Sequence, residues 1–226
     1  MNTVKIYSDL NLFAHYEIED AALKATNEEY FEIIDGTAIG VKSIYKPLLA
    51  GKITIPSKLN GINVTAIASS AFKSMDKITQ VYFLPDTNCT VINDEAFDGC
   101  AELTFIDLKN HITAIKGYAF RNCIKLNLSK LPDNLLTLGP HAFNMMSGVN
   151  STIIIHELPS TLKLLGSFAF NNCAKINIIS IHDNIILENY ALNNCGSQAD
   201  RASSSQTITV NITMLSEMDA KDKIGQ

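Results

Sequence analysis

Histidine, cysteine, serine and carboxylate side chains are the groups of this chain that could bind a metal or act as nucleophile and base. The chain has five histidines and five cysteines, but no two histidines stand at a metal-ligand spacing with a cysteine or acidic partner. No serine lies in a Gly-x-Ser-x-Gly motif, and neither a phosphate-binding loop nor a paired-carboxylate motif is present. The sequence therefore predicts no catalytic residue, no cofactor and no metal site, and we expect that the protein is not an enzyme.

Four of the cysteines instead mark a repeated motif, in which alanine and an apolar residue precede the sulfur-bearing position. The six copies are Ala71-Phe72-Lys-Ser-Met75, Ala96-Phe97-Asp-Gly-Cys100, Ala119-Phe120-Arg-Asn-Cys123, Ala142-Phe143-Asn-Met-Met146, Ala169-Phe170-Asn-Asn-Cys173 and Ala191-Leu192-Asn-Asn-Cys195. The alanines are 25, 23, 23, 27 and 22 residues apart, and such a period is typical of a solenoid. Methionine replaces cysteine in two copies, which favours a buried apolar thiol, although bridges between cysteines of neighbouring coils stay geometrically feasible.

Further apolar positions recur in register with this motif. An isoleucine or leucine stands four residues before each alanine, at Ile67, Ile92, Ile115, Leu138, Leu165 and Leu187. Leu-Pro pairs recur at Leu84, Leu131 and Leu158, where proline would end a strand. Each coil is therefore predicted as strand, corner, short return segment and corner. We expect Phe72, Phe97, Phe120, Phe143 and Phe170 to form one buried row, accompanied by Cys100, Cys123, Cys173 and Cys195.

These motifs resemble the BspA-type leucine-rich repeat family, whose unit is similar to L-x-x-I-x-L-P-x-x-L-x-x-I-G-x-x-A-F-x-x-C. The stretches that begin at Leu131 and Leu158 match this unit most closely. The resemblance covers roughly residues 36–215. It implies a mainly β repeat solenoid with short helical or irregular return segments, in a right-handed superhelix of about six coils behind an N-terminal α/β cap or attachment segment.

Four regions are predicted. They are an acidic segment at 1–35, a β-rich entry hairpin and first half-coil at 36–70, the repeat coils at 71–215 and a charged tail at 216–226. Residues 1–35 contain eight acids and two lysines. Apolar residues at Ile18, Ala21, Ala22 and Ala25 predict a short amphipathic helix. This region either caps the first coil or attaches the solenoid to another protein.

A second apolar column is the candidate partner-binding surface. Three residues before the residue that ends each predicted strand stand Val81, Phe105, Leu128, Ile155 and Ile178; polar residues at the next outward position include Asp107, Lys130 and Ser180. Because neighbouring strand residues point to opposite faces, we expect these residues to face outward and form a binding stripe. The alternative is that bulges turn some of them inward, or that the N-terminal segment covers them.

The predicted function is that of a non-catalytic protein-interaction or adhesion module. Its rigid sheet face would be presented to a protein or a cell-surface glycan, in line with the adhesion and host-interaction roles that the resemblance implies. The alternative is a structural component of a larger assembly, such as a phage tail or injection-apparatus decoration, anchored through residues 1–35. The open edge of a predicted last strand at Thr207–Thr213 could also pair two copies.

Charge and hydropathy argue against other classes of function. The net charge is −5, and no basic patch predicts nucleic-acid binding. No apolar run approaches the roughly 20 residues that a membrane-spanning helix needs, so membrane insertion is not expected. The first ten residues lack the pattern of a signal peptide. Location therefore stays open between the cytoplasm and a cell or virion surface reached by a non-classical route.

Overall fold

Short strands stacked coil upon coil build the protein. The computed structural model describes residues 26–144, 152–153, 155, 157–173, 180–181, 185–193 and 209–210. It is a mostly β solenoid with few helices, which confirms the predicted fold class, and it has about five turns where the sequence predicted about six coils. The strands are β1 (Phe31–Asp35), β2 (Ala38–Val41), β3 (Gly51–Ile55), β4 (Lys58–Leu59), β5 (Ile62–Asn63), β6 (Ala66–Ile67), β7 (Ile78–Phe83), β8 (Val91–Ile92), β9 (Phe105–Ile106), β10 (Ala114–Ile115), β11 (Asn127–Leu128), β12 (Thr137–Leu138), β13 (Thr152–Ile153), β14 (Leu164–Leu165), β15 (Ser180–Ile181), β16 (Ile186–Leu187) and β17 (Thr209–Val210).

An antiparallel hairpin begins the described part of the chain. Strands β1 and β2 pair around a turn at Gly36, whose φ of 59° lies in the left-handed region that glycine adopts without strain. The boundary that the sequence suggested at residue 35 falls inside this hairpin, so β1 lies in the region assigned to the acidic segment. Two 3-10 helices, Glu28–Tyr30 and Ser43–Leu48, flank the hairpin.

One sheet runs along the solenoid in the order β1-β2-β6-β8-β10-β12-β14-β16. From β2 onward its strands are parallel and in register, with each strand of the coils contributing one inward residue. These inward residues are Ile67, Ile92, Ile115, Leu138, Leu165 and Leu187, all of which are buried. The apolar position four residues before each alanine therefore packs into the interior, as its recurrence predicted.

The second side of each coil carries shorter sheets. Strands β3, β7 and β9 form a parallel sheet in that order, with two-stranded pairs β11-β13 and β15-β17 further along. Two sheets separated by corners can close each coil around a common interior. This second side contains the residues of the candidate binding surface.

The five phenylalanines of the repeat lie in one fully buried row. Consecutive rings stack with centroids 4.9, 5.3, 5.2 and 5.5 Å apart and planes within 7° of parallel. The backbone N–H of each phenylalanine donates to the alanine carbonyl of the next coil, as in Phe120 to Ala142 at 2.8 Å. The repeat motif thus supplies both the aromatic core and the hydrogen bonds that join neighbouring coils.

Cys100 and Cys123 beside this row are free, buried thiols, and Cys173 is buried at the same repeat position. The Sγ atoms of Cys100, Cys123 and Cys173 lie 3.0–3.1 Å from the backbone carbonyl of a phenylalanine in the preceding coil. Burial raises the pKa of the Cys100 thiol to about 12, so the thiol keeps the proton that it donates to this carbonyl. Cys195 lies outside the described residues.

Candidate functional site

The predicted outward stripe does not form, and this corrects the sequence analysis. Val81 and Ile155 are fully buried and Leu128 is 8% exposed. Of the four described members of the column, only Phe105 reaches the surface, with 39% of its area exposed. Ile178 lies outside the described residues. The alternative, in which some of these residues turn inward, describes Val81, Leu128 and Ile155.

The strand register explains why Phe105 differs from the others. Val81 pairs with Ile106, whereas Phe105 pairs with Gln80. Two residues separate Val81 from the corner residue Leu84, but one separates Ile106 from Leu108. Strand side chains alternate between faces. Because of this one-residue difference, residues at equal distances from Leu84 and Leu108 point to opposite faces. Counting back from the corner therefore placed inward and outward residues in one column.

The polar residues predicted beside the stripe reach the surface, in separate ion pairs. Asp107 pairs with Lys109 at 2.8 Å, and Lys130 pairs with Asp133 at 2.6 Å. Both are local pairs at the surface, which contribute little to stability. The side chain of Ser180 lies outside the described part of the structure. In the structure, therefore, Phe105 and Asp107 lie close together on one face, whereas Lys130 lies in a different coil.

The outward face of β3, β7 and β9 presents an aromatic patch, which we define as Lys52, Gln80, Tyr82, Phe105 and Asp107. The Tyr82 and Phe105 rings lie 5.3 Å apart, and Lys52 Nζ lies 4.2 Å from the Tyr82 ring centroid. The Tyr82 hydroxyl donates to Gln80 Oε1 at 3.3 Å. Burial, followed by the nearby charge of Asp107, raises the pKa of Tyr82, so the hydroxyl is a neutral donor. The patch combines exposed aromatic surface with a polar rim.

A ladder of aromatic rings on another edge was missed by the sequence analysis. Tyr118, His141, Phe168 and Tyr190 stack with centroids 4.7–5.1 Å apart, and the Arg121 guanidinium lies 4.6 Å from the Tyr118 centroid. Each ring residue directly precedes a repeat alanine and has a positive φ of 54–59°. The sequence feature that indicates this ladder is an aromatic residue directly before the repeat alanine in four consecutive coils. Because the rings cover one another's faces, the ladder mainly stabilises coil stacking.

A charged row continues along the same side in the earlier coils. Asp98 is nearly buried and accepts two hydrogen bonds from Arg121, at 2.9 and 2.6 Å, while Lys73 Nζ lies 3.5 Å away. Arg121 and Lys73 come from the coils on either side of Asp98, so the carboxylate joins three coils. Asn144, Asn171 and Asn193 occupy the same position later and are joined by side-chain hydrogen bonds of 3.2 and 2.8 Å. This row is a structural clamp.

No cluster of three or more histidine, cysteine or acidic side chains that could hold a metal is found among the residues described. His156 and His182 lie outside those residues. Within the described ranges, no helix has both the length and the apolar character needed to cross a membrane.

Comparisons with known proteins agree with this fold. A family model described as "BspA type Leucine rich repeat region" matches in six copies, over residues 16–150, 65–199 and 147–220. A leucine-rich repeat protein of T. pallidum has a solved structure that superposes with a TM-score of 0.60 and 24% identity, covering 76% of this chain and 82% of that one. A leucine-rich repeat protein from Bacteroides ovatus gives a TM-score of 0.51 and 18% identity, covering 74% and 55%. No curated protein matches the chain.

Proposed function

Because the chain belongs to the BspA-type leucine-rich repeat family, we propose that it is a non-catalytic module whose aromatic patch binds another protein. The family indicates a protein-interaction or surface repeat module in general terms. The observation that carries the specific proposal is the exposed Phe105 ring beside Tyr82. Most other large side chains of the second side point inward, so an exposed phenylalanine is unusual there.

The composition of the patch fits a protein partner. Aromatic residues are enriched at interface centres, and a polar rim that excludes water surrounds them. Lys52, Gln80 and Asp107 provide that rim, with hydrogen-bond donors and acceptors of both charges. Three strands about 4.8 Å apart span about 10 Å, so the patch is an anchor within a larger contact, since stable interfaces bury about 800 Å² on each partner.

The strand register makes the patch rigid before binding. Thr54 and Tyr82 are paired in register, and Gln80 is paired with both Lys52 and Phe105. A surface that is already ordered loses less side-chain and backbone freedom when a partner binds. Rigidity of this kind favours recognition of one partner conformation.

The test is binding with two matched double variants of the full chain. The patch variant, Tyr82→Ser with Phe105→Ser, removes the aromatic surface. The control variant, Ile62→Ser with Leu136→Ser, removes two apolar side chains elsewhere on the surface, which are 41% and 39% exposed. Each protein is used as bait against extracts and against a glycan array. We expect a protein partner whose affinity falls at least roughly 30-fold in the patch variant, which corresponds to loss of about 2 kcal/mol, and changes little in the control.

Other outcomes separate the competing functions. Retention of the same glycan by both variants would contradict the patch proposal and support glycan adhesion. Recovery in a large particle that depends on residues 1–35 but not on the patch would support the structural-component alternative. Self-association through the last strand predicts a dimer whose population is the same in the patch variant and the wild type.

A further inference from the structure

The described N-terminal end of the solenoid has an exposed apolar protrusion beside a basic groove. The 3-10 helix Ser43–Leu48 has no buried residue, and Ile44 and Leu48 are 73% and 64% exposed. They are among the most exposed large apolar side chains in the described residues. Two such side chains on one short helix make it a candidate for a binding surface.

The groove next to this helix has a volume of about 230 Å³. Its apolar lining is Pro47, Leu49 and Met75, and its charged lining comprises Lys46, Lys73, Lys77 and Asp76. Lys73 is already paired with Glu95 at 2.8 Å. Lys46 and Lys77 have no ion-pair partner among the described residues. The groove therefore fits an acidic, amphipathic peptide.

The chain itself contains such a peptide immediately before the point where the described structure begins. Residues 17–25, Glu-Ile-Glu-Asp-Ala-Ala-Leu-Lys-Ala, have apolar residues at helical spacing and three acids against one lysine. An amphipathic helix that places its apolar side in a groove is a common recognition mode. The net charge of this stretch is negative, opposite to the positive charges of Lys46 and Lys77.

The point of entry brings the stretch within reach of the groove. The N–H of Thr26 donates to the Thr54 carbonyl at 3.1 Å, and the N–H of Thr54 donates to Thr26 Oγ1 at 2.8 Å. Leu49 precedes Thr54 by five residues, which corresponds to at most about 17 Å of extended chain. Nine residues of helix measure about 13 Å. The Tyr30 and Tyr45 rings, 4.9 Å apart, further hold the entering chain against the 3-10 helix.

We propose that residues 1–25 of the same chain dock on the surface formed by Ile44, Leu48 and the basic groove, with the acidic stretch 17–25 facing Lys46 and Lys77. The covalent connection gives this stretch an effective concentration in the millimolar range, which an external peptide would need to exceed. The acidic N-terminal region thereby covers the first end of the solenoid.

Hydrogen–deuterium exchange of the full-length protein tests this docking. In the wild type, amides of residues 17–25 should exchange more slowly than in a free peptide of the same sequence. Ile44→Ser with Leu48→Ser should raise their exchange rate roughly tenfold, the effect of removing about 1.4 kcal/mol of binding free energy. The control Ile62→Ser with Leu136→Ser should not change the rate. Circular dichroism checks that each variant retains the fold.

Charge reversal provides an independent arm. Lys46→Glu with Lys77→Glu should also accelerate exchange in residues 17–25, and adding Glu17→Lys with Glu19→Lys should restore protection. Equal exchange in the wild type and the Ile44 and Leu48 variant would overturn the proposal. Protection that increases with protein concentration would also overturn it, because a second copy would then supply the docked segment.

Discussion

Phe120 lies at the middle of the buried phenylalanine row, and its removal gives the sharpest test of how the coils are held together. The ring is fully buried and stacks on Phe97 at 5.3 Å and on Phe143 at 5.2 Å. Phe120→Ala removes a buried side chain and leaves a cavity, at a cost of roughly 3 to 5 kcal/mol. Because both ring pairs are lost as well, we expect about 5 kcal/mol.

Phe105→Ala is the matched control, since the residue is also a phenylalanine but is 39% exposed and contacts Tyr82 on one side. Its expected cost is about 1 kcal/mol. Urea unfolding followed by far-UV circular dichroism measures both free energies of unfolding. A further variant, Phe120→Leu, keeps much of the apolar volume and should lose about 2 kcal/mol.

The thermal midpoint should follow the same order. A difference of about 4 kcal/mol between Phe120→Ala and Phe105→Ala corresponds to roughly 8 to 16 °C for a chain of this size. Equal destabilisation by the two alanine variants would refute the inference that the buried row carries the contact between coils. In that case the hydrogen bonds between coils, rather than ring packing, would dominate their association.

Three further predictions concern the backbone, the aromatic ladder and the thiols. Gly139→Ala should destabilise the fold by about 1 to 3 kcal/mol, because its Cβ would lie 2.6 Å from Gly117 N in the preceding coil, while the exposed Lys116→Ala should have little effect in the same urea titration. Burial, followed by the charge of Arg121, lowers the pKa of His141 below its ordinary 6.5. The resulting stabilisation is present above pH 6.5 and is lost as the pH falls through the folded-state pKa. The free energy of unfolding of His141→Phe should therefore decrease less than that of the wild type between pH 7 and the folded-state pKa. An equal dependence on pH in the two proteins would contradict this. The Cys100 thiol, with its pKa near 12, should resist alkylation by iodoacetamide at pH 8 until urea unfolds the protein. Peptide mass spectrometry measures the alkylation, and rapid labelling of Cys100 in the native protein would disprove the prediction.

The sequence predicted the repeat and its core because these depend on short, recurring patterns. Ala119, Phe120 and Cys123 occupy fixed positions in one tight segment, so their spacing alone indicates that all three face the interior. The isoleucine four residues before each alanine follows the same local geometry. Each coil repeats the pattern independently, which makes the combined signal stronger than that of any one coil.

The candidate surface was predicted less well because it depends on register between strands. Phe105 and Val81 stand at the same distance from their corner residues, yet only Phe105 faces outward. The aromatic ladder was also missed, since Tyr118 and His141 meet only when the coils stack. The position before the repeat alanine is aromatic in four consecutive coils, but the sequence does not specify the parallel ring contacts.

The sequence by itself thus determined the solenoid, its period and its buried phenylalanine row, because a spacing that recurs in each coil specifies which side chains share the interior. The tertiary structure decided which residues reach the surface. The number of residues between a strand and its corner varies from coil to coil, and a change of one residue turns a strand side chain from the core to solvent.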